Sequence, residues 1–201
     1  MGYGMRASVV LALAGLLLPA AAGVATAADR QRVDIHVVAN HAKASGQPWD
    51  GPGAVIIGPF LPDAGGPPDM VACVFGARGL ERCLTHPRDP NRSACHDSAD
   101  CDWNDVDVPT SVFGIAVIDL DMSQHDFVDA VVLVERAELK RSPEADRIEA
   151  AMRDFIAVRA PAVTPGEQAR RDRPFQRITL SVCESAPCDL RQSRILVERT
   201  D

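Results

Sequence analysis

Five aspartates fall in two tight clusters, and their chemistry is that of a cation site. Asp63 and Asp69 bracket Ala-Gly-Gly-Pro-Pro, while Asp119, Asp121 and Asp126 lie within eight residues of one another. Each cluster abuts an apolar run: residues 70–75 follow the first, and residues 113–118 precede the second. Carboxylates this close repel one another unless a positive charge sits between them, and without one some would take up protons above their ordinary range. Hard oxygen ligands on loops suit calcium, which takes ~6–8 of them. The expectation is a two-loop calcium site on the rim of a β-sandwich, with Asp63, Asp69, Asp119, Asp121 and Asp126 as ligands. Asp50, beside Trp49, is a further candidate for the first-loop ligand.

The elements that would position these carboxylates are mostly strands. Residues 33–38 alternate apolar and polar, as a half-buried strand does. Residues 54–57, 70–75, 113–118 and 130–134 are short apolar runs, and 113–118 is continuous enough for a central strand. The segment 58–69 is rich in glycine and proline and reads as loop. Residues 76–107 read as a long polar excursion tied by cysteines. Ser142 followed by Pro143 opens a helix whose Ile148, Ala151, Met152, Phe155 and Ile156 share one face. Residues 161–174 read as an irregular connection, and 178–182 with 193–197 as a closing hairpin. Two aspartates two apart at a strand end point to the same side, and loops distant in sequence meet at one end of an antiparallel sandwich.

The quoted segments resemble the C2 domain of synaptotagmins and protein kinase C. The segment 63–74 is similar to that family's first calcium loop, with paired glycines between aspartates and a strand after them. The segment 117–128 resembles its third loop, where a strand ends in Asp-x-Asp and another aspartate follows a short tip. Trp103, Asn104 and Asp105 resemble a strand start between the two. The resemblance covers roughly residues 33–134, and it departs from the family at Met70, where Pro is usual, and at Asp129, where Gly is usual. It implies an all-β, antiparallel eight-stranded sandwich, here with one helical insertion near 143–160. It also implies that the five aspartates bind calcium, and that calcium mediates binding to a phospholipid head group or a protein partner. Phe60, Leu61 and Met122 are apolar candidates for a docking tip; the lysine-rich strand of lipid-binding members has no counterpart, since Lys43 and Lys140 are the two lysines.

Composition narrows the alternatives. Arg6, an apolar run over residues 9–18 and small residues at 25–28 predict a cleaved signal peptide over 1–28. The expected mature chain, 29–201, is then 173 residues, one domain with no transmembrane segment, secreted or periplasmic. It carries 20 Lys and Arg against 28 Asp and Glu, a net charge of −8. That charge and an aromatic content of 4% argue against nucleic-acid binding. Six cysteines, Cys73, Cys83, Cys95, Cys101, Cys183 and Cys188, favour disulfides in an exported chain, with local pairs 73–83, 95–101 and 183–188. Cys83, His86, Cys95, His96 and Cys101 could instead hold zinc, but they lack a Cys-x-x-Cys spacing. Residues 89–100 follow an EF-hand loop loosely, with Ala94 where glycine is needed. No His-Glu-x-x-His or Gly-x-Ser-x-Gly occurs. The leading expectation is therefore non-enzymatic. Its rivals are a disulfide-stapled sandwich with no functional ion and an exported metal-dependent hydrolase.

Overall fold

The computed structural model describes residues 29–39, 49, 67–95, 98–121, 125–162, 164–180 and 195–200, with residues 89–93 as backbone. The leader at 1–28, Asp50, Asp63, the strand expected at 54–57 and the Cys183–Cys188 turn lie outside these residues.

The described chain is mostly β. In order it forms β1 (Arg30–Val38), β2 (Met70–Gly76), β3 (Gly79–Cys83), β4 (Thr85–His86), β5 (Asp89–Ser93), β6 (Asp100–Pro109), β7 (Val112–Asp119) and β8 (Asp126–Val134). A 3₁₀ turn (Ala137–Arg141), α1 (Pro143–Arg159), α2 (Pro165–Arg171), β9 (Gln176–Thr179) and β10 (Ile195–Arg199) follow. One sheet has three strands in the order β10-β1-β6, the other five in the order β3-β2-β7-β8-β9, and β4-β5 is a small ribbon.

Three layers result. Alternate residues of the five-stranded sheet, among them Met70, Ala72, Val74, Phe113, Ile115 and Val117, meet Val33, Ile35, Val37, Trp103 and Val108 of the three-stranded sheet. The opposite set, including Val71, Phe75, Ala116 and Val132, packs on Ile148, Met152 and Ile156 of α1. With both faces covered, β2 and β7 are buried at every position, which is why their sequences are unbroken apolar runs. Gly114 in β7 leaves room for the helix: a Cβ there would clash with Met152 Sδ and come within 2.8 Å of Ile148 Cγ2.

The helix starts where its sequence says it should. Ser142 accepts a hydrogen bond from the Ala145 N–H, and Pro143 occupies the first turn. Glu149, 8 % exposed, then ties this layer to β9. It accepts from Arg153 Nη2 at 2.8 Å, from Arg177 Nη2 at 2.7 Å and from the Phe175 N–H at 3.3 Å. Arg153 also reaches the carbonyls of Arg171 and Arg173, fixing the end of α2.

Four expectations are corrected. The sandwich is divided three and five, and it is not wholly antiparallel: β9 lies parallel to β8, because a chain that returns through a helical layer re-enters its sheet in the same direction. The closing hairpin does not form, since β9 pairs with β8 in one sheet and β10 with β1 in the other. The polar excursion holds four strands, β3 to β6; its 89–93 portion is β5, which removes the EF-hand alternative. The connection at 161–174 holds α2, with a reciprocal cap between Thr164 and Glu167.

Two expected disulfides form, Cys73–Cys83 and Cys95–Cys101. The first joins residues directly opposite in β2 and β3. Both pairs take cysteines that the zinc alternative required. The acidic residues of β6 are partnered across the outer face of the three-stranded sheet. Asp107 receives Arg30 Nε at 3.0 Å, Asp105 receives Arg32 Nη1 at 2.7 Å, and His36 lies between Asp100 and Asp102.

Candidate metal centre

Asp119 ends β7 and Asp126 begins β8, and the two are register partners across the hairpin. A register shift between Val117 and Ile118 marks a bulge in this pair. It turns Val128 into the inter-sheet core while Phe127 packs on the helical side; a bulge re-aims the side chains beyond it. Asp121, two residues past Asp119, completes a group. One ligand oxygen from each of Asp119, Asp121 and Asp126 lies within 4.8 Å of the others.

Asp119 is fully buried and Asp126 is 9 % exposed. The Asp69 N–H donates to Asp119 Oδ1 at 2.6 Å, and the Leu120 N–H donates to the Asp69 carbonyl at 3.0 Å. Asp69 is thus placed beside the group by its backbone, while its carboxylate is outside the trio. The structure therefore brings together three of the six expected ligands, sets Asp69 next to them, and does not describe Asp50 or Asp63.

The spacing and chemistry of the trio fit one hard cation. Oxygens bound to calcium at ~2.3–2.6 Å lie at most about 5 Å apart, which the 4.8 Å spread satisfies. Three carboxylates with no sulfur or imidazole among them suit calcium, magnesium or manganese over zinc or copper. The group could hold a metal ion; its composition does not choose among the hard ones.

Positive charge from the helical layer also faces this end of the sheet. Arg171, 8 % exposed, feels the field of Asp126. Burial lowers its guanidinium pKa, and Glu167 and then Asp126 oppose that. Arg170 Nη2 donates to the Val128 carbonyl at 2.8 Å. His125, next to Asp126, is held below the ordinary imidazole value by burial and then by Arg159, against an Asp121 backbone contact and Asp126. Arg170 and Arg171 lie in the stretch 161–174, which the sequence suggested was only a connection. Thr164-Pro165-Gly166-Glu167, a capping box with Pro at the first helical position, was the available sign that Arg170 and Arg171 ride on a helix.

No family model, curated protein or solved structure matches this chain.

Proposed function

We propose that this protein is an exported, non-enzymatic calcium-binding module of C2-like character. Its acidic end would dock a phospholipid head group or a protein partner when calcium is bound. The observation that carries the reading is the convergence of Asp119, Asp121 and Asp126 within 4.8 Å at one end of a five-stranded sheet. The remaining oxygens would come from Asp69, from Asp63 or Asp50 on the first loop, and from water. Export is supported by the two disulfides, which fit an oxidising compartment. No helix among the described residues is long and apolar enough to cross a membrane.

The test is calorimetric titration of residues 29–201 with calcium, with magnesium as control and melting temperature read alongside. Saturable calcium-selective binding is expected, with a raised melting temperature because the ion binds the folded state. Asp121→Asn should weaken it at least about tenfold, since a lost carboxylate removes both charge and oxygens. Absence of binding up to ~5 mM, beyond the 10⁻⁴–10⁻³ M range of extracellular modules, would sink the proposal. One observation favours a second reading, a stapled sandwich without an ion. The Asp69 N–H and the field of Arg171 already supply positive potential to Asp119 and Asp126.

A further inference from the structure

Between the C-terminal half of α1 and the end of α2 lies a pocket of about 420 Å³. That size is in the range of small-molecule sites, ~300–1,000 Å³. One side is apolar, built by Ile156, Pro161 and Phe175; Arg171 lines it too. Asp154 and Asp172 are also part of its lining.

Arg171 differs from the other arginines around it. Arg153 is spent on Glu149 and two carbonyls, Arg177 on Glu149, Asp146 and the Lys140 carbonyl, and Arg170 on the carbonyls of Phe127 and Val128. Arg171 is 92 % buried, being 8 % exposed, and its Nε has no hydrogen-bond partner. A guanidinium remains protonated in proteins and has five N–H donors to satisfy. Leaving the buried Nε–H unmet is costly, and a planar carboxylate is the group that pairs best with a guanidinium.

We infer that this pocket is a binding site for a small organic monocarboxylate with a compact apolar body. The carboxylate would pair with Arg171, and the body would rest against Ile156, Pro161 and Phe175. Asp154 and Asp172 set the charge limit. Asp172 is held in place by Gln168 Nε2 at 2.8 Å. Arg153 also lines the pocket, so the two guanidiniums and two carboxylates of the lining balance, and each further negative charge beyond the one paired with Arg171 is opposed. Inorganic phosphate is therefore a poor ligand, and a neutral or cationic body of the same size lacks the pairing group.

The test is a nitrogen–proton NMR titration of residues 29–201 with benzoate and hexanoate, in chelator so that no metal bridges the carboxylate elsewhere. Inorganic phosphate and hexylamine serve as controls. At least one carboxylate should saturate with a Kd in the ~0.1–10 mM range expected for so small a ligand, shifting resonances of α1 and α2. Arg171→Met should weaken it at least tenfold. Because that change could disturb folding, Ala157→Phe provides a second route: Ala157 is an exposed helical position that lines the pocket, and a phenyl ring there should block entry while leaving the spectrum folded. Binding that survives Ala157→Phe, phosphate that binds as tightly as the carboxylates, or no saturable shift up to ~20 mM, beyond that range, would each overturn the assignment.

Discussion

Removing the Glu149 carboxylate should loosen the helical layer from β9, and the cost can be worked from the geometry. Glu149 Oε1 receives Arg153 and the Phe175 N–H, and Oε2 receives Arg177. Its side chain is 11 % exposed, against 32 % for Arg153 and 23 % for Arg177. Breaking a buried ion pair from one side costs ~3–5 kcal/mol. Partial exposure of both arginines and their remaining carbonyl partners pull the value for Glu149→Ala to the low end, about 3 kcal/mol. For a chain of 150–250 residues each kcal/mol moves the melting temperature by about 2–4 °C, so a fall of ~6–12 °C is expected. Glu149→Gln keeps an acceptor oxygen and should lose ~1–2 kcal/mol.

A pH series separates charge from packing. Burial alone would raise the Glu149 carboxyl, but hydrogen bonds from Arg153, Arg177 and the Phe175 N–H outweigh it and hold the pKa below the ordinary value. A depressed folded value means stability that is present above the unfolded pKa, about 4.3, and lost as pH falls through the folded one. The gap between the native chain and Glu149→Gln should therefore be full at neutral pH and close at acid pH. Calorimetric melting across pH 2–8 measures this. A gap that stays constant to the acid end, or a loss below ~2 °C for Glu149→Ala, well under what 3 kcal/mol requires, would refute the reasoning.

Two further substitutions probe the same layer. Gly114→Ala places a methyl against Met152 and Ile148 and should cost ~1–3 kcal/mol as overpacking, read as a lower denaturation midpoint; an unchanged midpoint would show that α1 is not seated on β7 as described. Ser142→Ala removes the side-chain acceptor for the Ala145 N–H at 3.1 Å and should cost ~1 kcal/mol, with faster amide exchange confined to the first turn of α1. Protection that falls evenly along the helix would argue against a local cap.

The strands buried on both faces and the capped helix were legible because their sequences obey one rule at a time. β2 and β7 are unbroken apolar runs, and Ser142-Pro143 is a helix start. β6 was not legible. Its inward residues are Cys101 and Trp103, then Val106 and Val108, so the two-residue period breaks at Asn104 and Asp105. The structure shows why: Asp105 has φ 55°, and the pairing with β1 shifts register between Val33 and Ile35. An alternation interrupted by a bulge looks like a polar loop until the partner strand is known. Partner choice also hid the fate of residues 178–179 and 195–197, because two apolar runs near in sequence do not announce that they join different sheets. For the candidate centre, Asp119 and Asp121 follow from strand parity and Asp126 from the clustering and the third-loop resemblance; the β7–β8 pairing that brings it in is seen only in the structure. Arg171 was beyond reach, since its burial depends on where a seven-residue helix lands.

The pairing of β1 with β10 has a consequence for how the chain matures. Val33 is the register partner of Arg199, and β1 is the middle strand of its sheet. An N-terminus-first emergence leaves β1 with one edge open until residues 195–199 have arrived. Contacts of such long sequence separation slow folding, and an open strand edge recruits other chains. A truncation that stops short of β10 should consequently yield aggregate rather than a smaller folded unit.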